Sequence, residues 1–71
     1  MIQRKRYLEL CQTNAVIPKS SRVDCDGIAY FPKALYIRFD EKGGVVNVAV
    51  LQDISAANSF VNAPLESVKE C

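Results

Sequence analysis

The sequence of 71 residues contains no histidine. Histidine is the commonest general base near neutral pH and a common zinc ligand, so the usual centre of acid–base and zinc chemistry is missing. Three widely spaced cysteines make no zinc-binding set, and neither Cys11 nor Cys25 has a basic residue nearby in sequence that could activate its thiolate. The carboxylates that precede the glycine-containing turns are too few for a calcium site. We therefore expect a protein that is not an enzyme and that binds neither a metal nor a cofactor.

The chain also lacks an excess of charge of either sign. Nine lysines and arginines face eight acidic residues, for a net charge of +1. A dedicated nucleic-acid-binding protein is usually strongly basic. The basic cluster Arg4, Lys5 and Arg6 at the start of the chain is interpreted as the solvated side of a terminal helix. In the alternative interpretation these residues bind phosphates together with Lys33 and Arg38.

No long apolar run is present either. No hydrophobic segment follows the N-terminal basic cluster, as a signal peptide requires, and none approaches the ~20 residues of a membrane-spanning helix. An odd number of cysteines does not fit the disulfide framework of a secreted domain. We expect a protein of the reducing cytoplasm without contact with a membrane. Cys11 and Cys25 should be buried free thiols, and Cys71 should be exposed.

The spacing of apolar residues predicts a helix over residues 2–14. The residues that define its apolar face are Tyr7, Leu8, Leu10, Cys11 and Ala15. Asn14 is expected to take a left-handed conformation at its C-terminal end, and Pro18 prevents the helix from continuing. A helix this short is marginal in water, so it must pack against other elements.

From Arg22 onward the apolar residues alternate with polar ones, which predicts antiparallel β-structure over residues 22–63. Asp26-Gly27 is a strong signal for a two-residue turn of type I′, because that turn needs positive φ at both positions. This turn places Cys25 opposite Ile28 and Val23 opposite Tyr30, on one apolar face. Pro32 is expected to interrupt the strand after this turn, so that Phe31-Pro32-Lys33 forms a bend or an edge, since proline cannot donate to a ladder of hydrogen bonds.

A second hairpin is predicted from residues 34–40 and 45–53. A loop of two or four residues gives one register, whereas a loop one residue different sets Ile37 against Asn47. Apolar pairs across a buried face favour the first register. That register has the pairs Phe39–Val46, Ile37–Val48 and Leu35–Val50 on the inner face, and Tyr36–Ala49, Arg38–Asn47 and Ala34–Leu51 on the outer face. Among the aromatic residues we expect Tyr7, Tyr30 and Phe39 in the core.

Residues 60–63 form a short last strand, a helical turn is predicted over 64–68, and the tail is expected to fray. The chain is thus predicted to be one domain, 1–71, of the α+β class and mainly β. A short helix precedes about five short antiparallel strands. Tight hairpins with one late turn resemble, in architecture only, the small SH3-like barrels, and the alternative is a twisted open meander sheet with the helix across its apolar face.

Two functional classes remain. The first is a non-catalytic protein-interaction or accessory module, which would use a sheet edge and the face that carries Tyr36, Arg38 and Asn47. The second is a nucleic-acid-binding small barrel that uses Arg4, Lys5, Arg6 and Lys33. Weak self-association through an edge strand is compatible with both. No motif identifies the protein partner.

Overall fold

The computed structural model describes residues 1–71 and contains one helix followed by five antiparallel strands in one sheet. The elements are α1 (Arg4–Val16), β1 (Val23–Cys25), β2 (Ile28–Phe39), β3 (Val45–Asp53), β4 (Phe60–Pro64), a 3-10 turn (Leu65–Ser67) and β5 (Val68–Glu70). The strand order is β4-β3-β2-β1-β5, and the two edge strands do not pair with each other. The α+β class is therefore confirmed, with an open sheet in place of a closed barrel. No helix is long and apolar enough to span a membrane.

The core lies between α1 and one face of the sheet. Its members are Ile2, Tyr7, Leu10, Val23, Cys25, Tyr30, Ala49, Leu51, Ala63, Leu65 and Val68. Tyr7 and Leu10 are buried and Cys11 packs against them, whereas Leu8 and Ala15 are exposed, contrary to the predicted stripe. Residues 7, 10 and 11 lie within one face of a helix with 3.6 residues per turn, and residues 8 and 15 lie at its margin.

The helix begins and ends two residues later than predicted. Asn14 lies inside α1, and the residue with positive φ is Lys19, beyond Pro18. The Asn14 side chain instead joins two segments, because its Nδ2 donates to the carbonyl of Pro32 (3.3 Å) and its Oδ1 accepts from the N–H of Ser20 (3.1 Å). The end of the helix is thus held against β2 by a side chain and not by a left-handed cap.

The first hairpin has the predicted register. Asp26 and Gly27 take φ values of 52° and 81°, as a type I′ turn requires. Cys25 pairs with Ile28, and Val23 pairs with Tyr30. The prediction held because the turn chemistry is local and only one register agrees with it.

β2 continues through Pro32, so the predicted interruption is wrong, whereas the predicted edge position is correct because Pro32 has no partner on β1. Pro32 lies two residues beyond Tyr30, and Tyr30 pairs with Val23, the first residue of β1. An N–H at Pro32 would point past the end of β1, so its absence costs the β1–β2 ladder no hydrogen bond. A bulge follows between Pro32 and Ala34 and leaves Lys33 without a partner on β3.

The second hairpin takes the register that the sequence analysis rejected. Phe39 pairs with Val45, and Ile37 pairs with Asn47. Because the side-chain period of a strand is two, this shift of one residue reverses the faces of β3. Ala49 and Leu51 point to the helix, whereas Val46, Val48 and Val50 lie on the opposite face.

The loop of this hairpin explains the shift. The N–H of Asp40 donates to the carbonyl of Gly44 (2.9 Å), and the N–H of Gly43 donates to the carbonyl of Asp40 (3.0 Å). The Asp40 carboxylate accepts from the N–H groups of Lys42 (2.9 Å) and Gly44 (2.7 Å), and Gly43 takes a φ of 76°. This is a three-residue loop with glycine in the left-handed position. A loop with an odd number of residues shifts the pairing of the strands by one residue relative to a loop of two or four residues.

The tip of the hairpin extends beyond α1, and the apolar side chains on its helix side are exposed. Ile37 and Phe39, which were predicted to be buried, are 48% and 70% exposed. A helix of 13 residues is about 20 Å long, whereas a strand of 12 residues is about 40 Å long. The helix can cover only part of β2, so Phe39 lies outside the core that contains Tyr7 and Tyr30.

The C-terminal residues form a strand and do not fray. The helical turn is a 3-10 turn over Leu65–Ser67, shorter than predicted, and Val68–Glu70 pairs with β1. Val68 is fully buried, and its carbonyl accepts from the N–H of Ile2 (3.1 Å). Long-range pairing of this kind leaves no signal in a three-residue segment.

Candidate interaction surface

The distal hairpin, residues 36–48, projects beyond the part of the sheet that α1 covers. On its helix-side face Ile37, Phe39 and Val45 are exposed by 48%, 70% and 60%. Phe39 and Val45 are directly opposite each other, and Ile37 is two residues from Phe39 on the same strand. We call these three residues the apolar patch. Isolated exposed apolar side chains are ordinary on a protein surface, but adjacent ones are typical of contact sites.

A shallow cleft of about 340 Å³ borders the apolar patch on the side of the helix N-terminus. Val45 and Asn47 form its β3 wall, and Arg4 and Glu66 contribute charged groups from the helix and the 3-10 turn. The cleft is thus a recess beside the patch that offers both apolar and polar contacts.

The other face of the distal hairpin carries two of the predicted contact residues. Tyr36 and Arg38 are both exposed and lie two residues apart on β2, opposite Val48 and Val46. Asn47 is half-buried and lies on the helix side, opposite Ile37. The structure therefore brings Tyr36 and Arg38 together and separates Asn47 from them. The prediction that all three share a face was wrong because it rested on the wrong register.

Sequence reasoning missed the apolar patch because it assigned Ile37 and Phe39 to the core. The signal that could have found the patch is the loop sequence Asp40-Glu41-Lys42-Gly43-Gly44. An aspartate followed three residues later by glycine is compatible with a three-residue loop, since Gly43 can take positive φ and Asp40 can cap the turn.

The basic residues of the alternative interpretation occupy separate positions. Arg4 and Lys5 are exposed in the first turn of α1, and Lys33 is exposed at the bulge of β2. Arg6 instead hydrogen-bonds Glu70 through Nε (2.9 Å) and Nη2 (2.6 Å). This hydrogen bond and the charge attraction raise the pKa of Arg6 and lower the pKa of Glu70. The charge of Arg6 is therefore balanced within the protein, although so exposed a pair adds little stability.

Cys11, Cys25 and Tyr7 are protonated at neutral pH, because the pKa of each is raised. Burial raises the pKa of Cys25, with a further contribution from Asp26 and Asp24, and burial also raises the pKa of Cys11. All three cysteines are free, and Cys25 is buried and Cys71 exposed, as predicted, whereas Cys11 is half-buried and not buried. Burial raises the pKa of Tyr7 as well, and its hydroxyl is occupied as a donor to the carbonyl of Val50 (2.9 Å). These protonated groups are poor nucleophiles and bases.

The distal hairpin thus presents exposed apolar side chains on one face and the exposed Tyr36 and Arg38 side chains on the other. No three histidine, cysteine, aspartate or glutamate side chains converge in a geometry that could hold a metal ion. No protein-family model, curated protein or solved structure matches this chain.

Proposed function

We propose that this chain is a non-catalytic protein-interaction module whose contact surface is the distal hairpin. The observation that carries the proposal is the apolar patch, in which Ile37, Phe39 and Val45 are adjacent and exposed on one face. Apolar surface removed from water contributes roughly 25 cal/mol per Å², so covering this patch with a partner is favourable. Adjacent exposed apolar residues otherwise promote aggregation, which a bound partner prevents.

The distal hairpin is also prepared for binding. Its base is fixed because Ala49 and Leu51 of β3 are fully buried in the core, and its tip is fixed by the hydrogen bonds of the Asp40 carboxylate. A rigid surface loses little conformational entropy when a partner binds. On the reverse face, Tyr36 and Arg38 are of the types enriched at protein interfaces.

The proposal includes an SH3-like arrangement of the strands, an accessory role and a reducing, cytoplasmic setting. Two tight hairpins and the single 3-10 turn before β5 support the first of these. Three free cysteines, of which Cys25 is buried and Cys71 exposed, support the last, because a secreted domain of this size usually uses its cysteines in disulfides.

The test compares wild type with Phe39→Ser. The matched control is Val16→Ser, which removes an equally exposed apolar side chain from the far end of α1. Partners captured from the native host by wild type are purified, and binding to each variant is measured by calorimetry. We expect Phe39→Ser to weaken binding at least about tenfold, with little dependence on salt, while Val16→Ser binds as wild type does. Equal binding by all three proteins would contradict the proposal.

The second candidate function, binding of nucleic acid, is favoured by one observation. Three basic residues occupy the first turn of α1, which contains no acidic residue, although positive charge is unfavourable at this end of a helix. A titration with mixed-sequence oligonucleotides at several salt concentrations distinguishes the two functions. We expect only non-specific affinity, about 10⁻⁴ M or weaker at physiological salt. Micromolar affinity that falls steeply with salt, and whose slope is reduced in Arg4→Ser/Lys5→Ser, would support this second function.

A further inference from the structure

The two edge strands of the sheet differ in how well they are protected against pairing with a strand of another chain. The β5 edge carries Lys69 and Glu70, and the carbonyl of Val68 already accepts a hydrogen bond from the N–H of Ile2. The β4 edge, residues 60–64, contains no charged residue and has no strand beyond it. Natural edge strands usually carry charge, a bulge or a cover that prevents pairing with another chain. β4 has none of these along Phe60–Ala63, since its proline is the last residue.

The direction of the free backbone groups of β4 follows from the β3–β4 ladder. The N–H of Asp53 donates to the carbonyl of Ser59 (3.0 Å), which shows that Ser59 directs its backbone groups toward β3. Because successive residues of a strand alternate, Val61 and Ala63 also point to β3, and Phe60, Asn62 and Pro64 point outward. The outward edge therefore offers the N–H groups of Phe60 and Asn62 and the carbonyls of Phe60, Asn62 and Pro64. Pro64 has no N–H, but an N–H at this position would point away from β3, so the β3–β4 ladder loses no hydrogen bond.

This set of groups is complementary to itself. In an antiparallel pair of two copies centred on Asn62, each Asn62 donates to the carbonyl of the other. Each Phe60 then lies opposite Pro64 of the other copy and donates to its carbonyl. Val61 lies opposite Ala63 on the helix-side face, and no two like charges meet because the strand has no charge. A self-complementary edge of this kind generates a twofold-symmetric dimer.

We propose that β4 pairs with β4 of a second copy of this chain in an antiparallel, twofold-symmetric dimer that extends the sheet across both molecules. The pairing strand has only five residues, so the interface is small and the dimer is weak and dependent on concentration. The dimer leaves the apolar patch of each copy free, because Ile37, Phe39 and Val45 lie beyond the Val48–Pro64 pair at which the β3–β4 ladder ends.

The test uses charges at Asn62, whose side chain is exposed and whose N–H points away from β3. Across the twofold axis, Asn62→Lys sets two positive charges opposite each other and Asn62→Asp sets two negative ones, and both arrangements are unfavourable. We expect wild type and the control Asn62→Ser to dimerise as the concentration rises to about 1 mM in sedimentation equilibrium. Each charged variant alone should remain monomeric, and an equimolar mixture of the two should dimerise.

Amide hydrogen exchange supplies a second measurement. We expect exchange at Phe60 and Asn62 to slow with increasing wild-type concentration, and exchange at Gly27, in the turn of the first hairpin, to stay unchanged. Thermal unfolding of each variant verifies that the fold is retained. A wild type that stays monomeric at about 1 mM, a dimer that survives Asn62→Lys, or a mixture of charged variants that stays monomeric would each overturn the proposal.

Discussion

Removing only the hydroxyl of Tyr7 tests how the helix is fixed to the sheet. The Tyr7 ring is fully buried, and its hydroxyl donates to the carbonyl of Val50 at 2.9 Å. Val50 lies opposite Ala34, next to the bulge that leaves Lys33 unpaired. We infer that the hydroxyl replaces a ladder bond that the bulge has removed, so one side chain of α1 satisfies the backbone of β3. Tyr7→Phe keeps the ring and deletes this bond.

The hydrogen bond between the Tyr7 hydroxyl and the Val50 carbonyl is part-buried, and the loss of a hydrogen bond of this kind costs about 0.5–1.5 kcal/mol of stability. A domain this small commonly has only about 3–5 kcal/mol in total, so the loss is a large fraction of the free energy of unfolding. The unfolding temperature should fall by about 4–8 °C for each kcal/mol lost.

Urea denaturation of Tyr7→Phe, Tyr30→Phe and wild type measures this loss. Tyr30 is the matched control, because its ring is buried in the same core and its hydroxyl is not a buried group in need of a partner. We expect Tyr30→Phe to stay within about 0.5 kcal/mol of wild type. If the two variants have the same free energy of unfolding, the inference about the bulge is wrong.

Three further outcomes are expected. Burial raises the pKa of Tyr7, so above the ordinary tyrosine pKa of about 10 the unfolded chain loses the Tyr7 proton while the folded chain keeps it. The free energy of unfolding should therefore fall as pH rises through that value. Denaturation at several alkaline pH values should show a smaller fall for Tyr7→Phe than for wild type. Cys71 should react with a thiol reagent in the native protein, whereas Cys25 should react only after unfolding, and equal rates by mass spectrometry would contradict the assigned burial. Asp40→Ala should lower stability by about 1 kcal/mol, because two N–H groups in the loop of the second hairpin lose their acceptor. The control in the same loop is Glu41→Ala, which should unfold at the same urea concentration as wild type.

The first hairpin could be predicted from the sequence because its determinants lie within a few residues. Asp26 and Gly27 can both take positive φ, and the alternation on each side agrees with the turn that they form. The helix could be predicted for the same reason, although its bounds were displaced by two residues, since helix ends are the least well determined part of such a pattern.

The register of the second hairpin could not be predicted from the alternation of nearby residues. Its register was inferred from the assumption that Ile37 and Phe39 are buried, but whether they are buried depends on how far α1 reaches along β2. That reach is a property of the packed molecule, and the loop held by Asp40 specifies the other register. The error then moved Asn47 from the helix side to the face of Tyr36 and Arg38, and it concealed the apolar patch.

The sequence by itself determined the elements that nearby residues specify: a terminal helix, the type I′ turn, two hairpins, a buried Tyr7 and Tyr30 and the absence of histidine chemistry. Only the tertiary structure decided the open sheet, the passage of β2 through Pro32, the pairing of Val68–Glu70 with β1 and the exposure of the distal hairpin. The physical reason is the distance over which each feature is set. Turn dihedrals and strand alternation are fixed by neighbours in the chain, whereas burial and edge pairing depend on which distant segments pack against a strand. A short polar or apolar run is compatible with a buried strand and with an exposed one.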